Sequence, residues 1–388
     1  MSSTPASAGL PAEVRTTDYH TAGEPFRIVD VAAAGLPALP GDTVAERRAT
    51  LLGPGGDGTA PRRGPLDEVR RLLVQEPRGH AGMYGGFVVP PDDDGAHLGV
   101  LFWHKDGYST ACGHGTMALG AWAVETGLVA TAPPAPVPPA PAPPVPVPPA
   151  PAPPTQPTPA PPPAPADRDV QVRIDVPSGR VTATVHRTAG RTTGVTFRNV
   201  PARVTARKVP VATSLGTVHA DLAYAGACYA SLPADALGLS VERAALPELV
   251  RAGREIRAAL AGHPATRHPD SRLLSGVYGV ILYEELPDTP TGPHQRNVTV
   301  FADGQIDRSP CGSGTSARLA LLADEGGLSQ DGELTHESVT GTLFSGRIAR
   351  GAPTTDGLVT DVTGTAHRTG EHRFTLDPYD TLGTGFLL

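Results

Sequence analysis

Asp307-Arg308-Ser309-Pro310-Cys311-Gly312-Ser313-Gly314-Thr315-Ser316-Ala317-Arg318-Leu319-Ala320-Leu321-Leu322 reads as the start of a helix. Ser309 and Pro310 supply a capping residue and a fixed φ, small residues keep the first turn open, and the run from Leu319 to Leu322 buries one face. A cysteine therefore sits where unpaired N–H groups point, and there the helix dipole favours thiolate over thiol. Gly312 and Ser313 leave room for a small anion at the backbone. Taken alone, such a cysteine reads more readily as a buried core residue.

An echo earlier in the chain argues for the first reading. Ala111-Cys112-Gly113-His114-Gly115-Thr116 runs into Met117-Ala118-Leu119-Gly120-Ala121-Trp122-Ala123-Val124 and stops at Glu125-Thr126-Gly127-Leu128; the later copy stops at Glu325-Gly326-Gly327-Leu328. Both copies share Cys-Gly-x-Gly-Thr, an apolar helix of similar length and a glycine stop, which is what two equivalent half-domains give. Two cysteine-tipped helices can then face one another across a cleft.

At 388 residues the chain is long enough for two domains with real cores, and its net charge of −7 gives no reason to expect nucleic acid or an anionic membrane. No stretch reaches the ~18 apolar residues of a spanning helix, and no basic region followed by an apolar run opens the chain. A soluble, cytoplasmic protein is expected, its three cysteines held as thiols.

Residues 1 to about 15 are expected to be a flexible tail, 16–200 a first half-domain and 201–388 a second. From 131 to 166 the chain is almost wholly Pro, Ala and Val, an insert of polyproline or disordered character that carries no chemistry. Strands are expected at Phe87–Val89, Leu98–Trp103, Val170–Val176, Arg180–Arg187 and Gly194–Val200, with helices at Arg47–Leu52 and Leu66–Leu73. In the second half, Leu215–Ala220, Leu222–Leu232, Gly276–Tyr283, Arg296–Phe301, Ser338–Ile348 and the tail from Phe374 read as strands, and Val241–Leu260 as an amphipathic helix.

Cys112, His114 and Cys311 lack the spacing of a zinc site, so no metal is expected. Neither Lys105 nor Lys208 lies in a Schiff-base motif, so no pyridoxal or other cofactor is expected either. A Cys112–His114 pair is disfavoured, because residues two apart on a helix do not face each other. A pair of thiols acting as general acid and base fits better. One takes the α-proton of an amino acid from one face while the other returns a proton to the opposite face, and the substrate carboxylate lies on the amides of Gly113, His114, Gly312 and Ser313.

Asp18 to Arg27, Glu76-Pro77-Arg78-Gly79-His80, Cys112 to Thr116, Asp307 to Thr315 and His336-Glu337-Ser338 to Gly346-Arg347 together resemble the proline racemase family, which includes hydroxyproline 2-epimerases and trans-3-hydroxy-L-proline dehydratases. The resemblance spans the chain apart from the termini and the insert. It implies an α/β fold of α+β type in two similar halves, each a strongly curved, mostly antiparallel sheet or barrel around a central helix, of the diaminopimelate epimerase kind. The C-terminal strand is expected to be able to return to the first half.

It also implies a cofactor-independent homodimer acting on a cyclic imino acid, with Cys112 and Cys311 as the catalytic pair. Asp307 matches the acid that meets the ring nitrogen, and Tyr84 and Phe301 match walls of the ring. Tyr84 stands where proline racemases tend to carry Phe, and its hydroxyl suits a ring hydroxyl. Met83-Tyr84-Gly85 and Gly312-Ser313-Gly314 resemble the dehydratase branch, but that branch typically carries threonine at the second cysteine position. The presence of Cys311 therefore favours inversion of proline or hydroxyproline, with dehydration of 3-hydroxyproline as the alternative and a silent imino-acid binder as the third reading. Cys228 is read as packing, and His20, His80 and His294 as backbone-satisfying or surface residues.

Overall fold

The computed structural model describes residues 11–53, 64–131, 168–351, 354–377 and 379–387. The expected insert lies outside the described residues except for Thr131, as do residues 1–10 of the expected tail. The rest of that tail is better ordered than its composition suggested, because Glu13 to Arg15 already belong to the first strand.

The first stretch of chain supplies β1 (Glu13–Thr21), β2 (Glu24–Asp30), α1 (Val44–Leu52), α2 (Pro65–Val74), β3 (Tyr84–Val89), β4 (Leu98–His104) and β5 (Gly107–Tyr108). After these come α3 (Gly113–Glu125), β6 (Val170–Val176), β7 (Gly179–Thr188) and β8 (Arg191–Arg198). The second supplies β9 (Arg203–Thr213), β10 (Gly216–Tyr224), β11 (Cys228–Pro233), α4 (Leu246–Ala259), β12 (Val277–Thr289), β13 (Gly292–Phe301) and β14 (Gln305–Asp307). It ends with α5 (Gly312–Asp324), β15 (Leu334–Ser338), β16 (Leu343–Ile348), β17 (Thr360–Gly364) and β18 (Ala366–Thr375).

These strands form one hydrogen-bonded network in the order β18-β1-β2-β3-β4-β6-β7-β8-β17-β16-β15-β13-β12-β11-β10-β9, with β5 and β14 as short additions on β4 and β13. Starting from either outer strand, β18 or β9, the senses of successive pairs are the same: two antiparallel, one parallel, one antiparallel, one parallel, two antiparallel. The echo in the sequence is thus an echo in topology. The two series meet at the antiparallel pair β8–β17, and the last strand of the chain, β18, pairs with the first, β1.

Each half of the network curls around one helix. Every α3 residue from Gly113 to Val124 is buried, as is every α5 residue from Gly312 to Leu322, so both helices are enclosed and need no polar face. Helix α3 packs on β1, β2, β6, β7, β8 and β18, and α5 on β9, β10, β11, β16 and β17. Close approach requires small residues: a Cβ on Gly120 of α3 would come within 2.6 Å of the Ala183 Cβ on β7. Strand β7 alternates to match, with Val181, Ala183 and Val185 facing the helix layer. Helix α4 is amphipathic instead and lies outside, burying Leu249, Ala252, Gly253 and Ile256 against β12 and β13.

Several boundaries differ from expectation. Helix α4 begins at Leu246 rather than at Val241, because Pro247 sits in its first turn and the chain before it makes a separate 3₁₀ turn, Arg243–Ala245. The expected break at Asp221 falls instead at Ala225–Ala227, where Gly226 takes a φ of 82° and turns β10 into β11. Strand β9 was not expected; its charged residues and Pro210 suit a strand poorly, but at a sheet edge they are tolerated, and among the described residues β9 pairs only with β10. Of the tail from Phe374, only Phe374 and Thr375 lie in a strand. No helix among the described residues is long and apolar enough to cross a membrane.

Candidate active site

The first turns of α3 and α5 abut. A Cβ on Gly113 would lie 2.6 Å from the Gly312 Cα, and a Cβ on Gly312 would lie 2.8 Å from the Gly113 Cα, so glycine alone lets the two helix starts meet. Cys112 and Cys311 are the N-caps of these helices. The shared threonines tie each turn in the same way, Thr116 Oγ1 donating to the Cys112 carbonyl and Thr315 Oγ1 to the Cys311 carbonyl, both at 2.8 Å. Ser309 is therefore not the cap that its place before Pro310 suggested. Its hydroxyl donates to Asp307 Oδ1 at 2.7 Å and accepts from the Cys311 amide at 3.1 Å.

The two caps differ in backbone. Cys112 is extended, with φ −159° and ψ 104°, and its Sγ accepts from the Gly115 amide at 3.2 Å. Cys311 has φ 68°, a left-handed conformation uncommon for a residue with a Cβ. Because Cys112 precedes the helix, its side chain folds over the first turn, and the His114 ring nitrogens lie 3.5 Å from its sulfur. Helical spacing therefore does not keep Cys112 and His114 apart, contrary to expectation. His114 Nδ1 is also 3.6 Å from Asp307 Oδ2.

Both sulfurs line one narrow, partly open cavity of about 10 Å³, room for roughly one water molecule. Tyr84, Gly113, His114, Phe301, Asp307 and Ser313 share its wall with them, while Gly312 stands behind it against Gly113. Three wall residues were not anticipated: Ala111, Tyr229 and Tyr278. Tyr278 carried a signal all the same. Tyr278-Gly279 enters β12 as Tyr84-Gly85 enters β3, and β12 and β3 occupy equivalent places in the two strand series. Tyr84 Oη lies 2.5 Å from Ser109 Oγ and 3.1 Å from Tyr278 Oη, and the Cys311 thiol donates toward Tyr229 Oη at 3.8 Å.

Burial pushes the Cys112 thiol well above its ordinary range; the Gly115 amide opposes the shift, and Asp307 and Cys311 add to it. The Cys311 thiol is raised as well, by burial and then by Asp307. At these buried positions desolvation and neighbouring anions outweigh the helix N-terminus, contrary to the expectation of thiolate. Burial would raise the Asp307 carboxyl too, but His114 and the Ser309 hydroxyl and amide more than offset it, so Asp307 is held below the usual carboxylate range. The fully buried Ser313 hydroxyl has no hydrogen-bond partner among the described residues.

Cys228 lies in a separate core cluster with Tyr224 and lines no part of the cavity. His20, His80 and His294 are likewise off its wall; they meet the Gly23 amide, the Gly82 amide and Glu337. Among the described residues, no group of three or more His, Cys, Asp or Glu side chains is arranged to hold a metal.

The family model described as proline racemase matches residues 16–139 and 163–387. A trans-3-hydroxy-L-proline dehydratase of Burkholderia ambifaria is 38% identical over 96% of this chain and 97% of its own length. The Homo sapiens protein of the same name is 38% identical over 99% of this chain and 97% of its own. A 3-hydroxyproline 2-epimerase of Burkholderia multivorans is 37% identical, with coverages of 96% and 97%. A crystal structure of an Agrobacterium vitis hydroxyproline epimerase with bound trans-4-OH-L-proline has a TM-score of 0.78 at 26% identity, covering 97% of this chain and 96% of that one. Against the expectation of inversion drawn from Cys311, the names of the relatives favour the alternative, loss of water.

Proposed function

The chain belongs to the proline racemase family, and from that premise we propose that it removes water from trans-3-hydroxy-L-proline. The observation that carries the chemistry is the one narrow cavity on which both thiols, Asp307 and two helix N-termini converge. The substrate carboxylate lies across the first-turn amides of Gly113, His114, Gly312 and Ser313, where the two dipoles add, and it gives the unpartnered Ser313 hydroxyl an acceptor. The ring ammonium meets Asp307, and its positive charge offsets the surroundings that keep the thiols protonated. Binding of substrate thereby supplies the thiolate.

Cys112 takes the role of base, because its sulfur already accepts the Gly115 amide. It removes the α-proton, the electron pair forms a double bond from the α- to the β-carbon, and the 3-hydroxyl departs as water. These bond changes use only protein groups and substrate. The second reading, epimerisation at the α-carbon, is favoured by Cys311: a thiol on the same cavity can return a proton to the opposite face. A homodimer in a reducing compartment, where the three buried thiols stay free, completes the proposal.

The test is incubation with trans-3-hydroxy-L-proline, trans-4-hydroxy-L-proline and L-proline in D2O, followed by NMR. Loss of the ring hydroxyl from the first is the expected result. Inversion with α-deuterium and no water loss would replace this reading with the second, and inertness toward all three would overturn both. Cys112→Ser is expected to lower α-proton exchange about a thousandfold, and Cys311→Ser to remove any inverted product.

A further inference from the structure

The cavity holds a second pair of residues related by the internal repeat. Tyr84 opens β3 and Tyr278 lies at the start of β12, and their hydroxyls meet at 3.1 Å on the cavity wall. Ser109, just ahead of the first cysteine helix, adds a third hydroxyl 2.5 Å from Tyr84 Oη. Three hydroxyls joined by two hydrogen bonds contain three protons and spend two. One O–H is left over, and when Ser109 and Tyr278 both donate to Tyr84 it is the Tyr84 O–H, on the cavity wall. Tyr84 is fixed for this purpose, its ring edge-on to His114 at 4.9 Å and to Phe301 at 5.9 Å, and Tyr278 stacks on Phe301 at 5.5 Å. Such a cluster is more than ring packing requires, since a phenylalanine at 84 would fill the same space.

Resting on the dehydration reading, we infer that the Tyr84 hydroxyl, relayed by Ser109 and Tyr278, is the general acid that protonates the departing 3-hydroxyl. The Cys112 thiolate takes the α-proton and becomes a thiol. The electron pair of the broken C–H bond forms the carbon–carbon double bond, and the β-carbon–oxygen pair leaves with the oxygen. That oxygen accepts the phenolic proton and is released as water. Ser109 at 2.5 Å donates to the phenolate as it forms, the one neighbouring contact that favours the ionised ring oxygen. When the cavity opens, the thiol gives up its proton and the phenolate regains one, so the net change is substrate to enamine plus water. Burial holds Tyr84 and Tyr278 protonated across the neutral range, as an acid must be before its turn.

The experiment uses the full chain and measures a partition. In D2O, the carbanion formed from trans-3-hydroxy-L-proline either loses its hydroxyl or takes deuterium back at the α-carbon, and NMR reads the ratio of the two products. For Tyr84→Phe, elimination is expected to fall about a hundredfold relative to deuterium return. Ser109→Ala and Tyr278→Phe are expected to move the ratio in the same direction by on the order of tenfold, and they carry the test if Tyr84→Phe does not fold. Slower turnover with an unchanged ratio in these variants overturns the inference and leaves the dehydration reading standing. A wild-type enzyme that exchanges the α-proton yet never loses water overturns that reading, and the inference with it.

Discussion

Cys112 and Cys311 are one residue type on two backbones, and the difference matters more than the repeat that relates them. The first is an extended cap whose sulfur receives an amide; the second is left-handed, its sulfur near Tyr229. His336 shows how far the buried electrostatics reach. Thr315 spends its proton on the Cys311 carbonyl, so His336 Nδ1 must donate to Thr315 Oγ1 at 2.8 Å, which leaves Nε2 bare and the ring neutral. Burial, then Arg318 and His294, lower its pKa to about 3. The unfolded chain binds this proton below about 6.5 and the folded chain does not. The contribution is therefore whole above pH 6.5 and is lost as pH falls toward 3, at about 1.4 kcal/mol per unit. Denaturant melts at pH 7 and pH 5 should differ by about 2 kcal/mol on this account, and His336→Gln should flatten the slope; an equal slope would remove His336 as its source. At this scale the cysteine pair was legible because its motif is repeated. The approach of His114 to Cys112 was not, since helical spacing fails at a cap. Tyr278 was missed because a lone aromatic reads as core until its Tyr-Gly is set beside Tyr84-Gly85.

Among elements, the decisive contact is between the starts of α3 and α5, where backbone meets backbone. Gly113→Ala would place a methyl 2.6 Å from the Gly312 Cα, with no flexible side chain to yield. The helix starts would have to separate, at a cost of about 1–3 kcal/mol. Thermal melts should register that loss, and the KM for substrate should rise with it as the amide cradle widens; a variant with the wild-type melting temperature and KM would show that the contact is slack. That strands surround α3 and α5 was legible, but the apolar runs alone indicated burial of one face, whereas both helices are buried all round. Strand β9 was hidden because an edge accepts Pro210 and the charges that a central strand refuses. The start of α4 was misplaced because charge and apolar periodicity continue through the 3₁₀ turn, and only Pro247 marks the boundary.

Across the whole molecule, the repeat predicted two like halves, and the matching series of strand senses gives that prediction a geometric form. What no local pattern disclosed is that the series interlock, with β8 against β17 and β18 on β1. Strand β18 pairs along the length of β1, from Glu13 with Thr375 to Thr21 with Ala366. Ending the chain at Gly364 would leave β1 with an open edge and uncover α3, which packs on both strands. Such a chain should lose its cooperative melt and turn up in the insoluble fraction; a soluble product with the wild-type melting temperature would show that β18 is dispensable. The return of β18 also sets an order of events during synthesis. Everything from β1 to β8 leaves the ribosome early, but the layer around α3 stays unsealed until β18 emerges, so closure of the first-made half waits for the second half to be made.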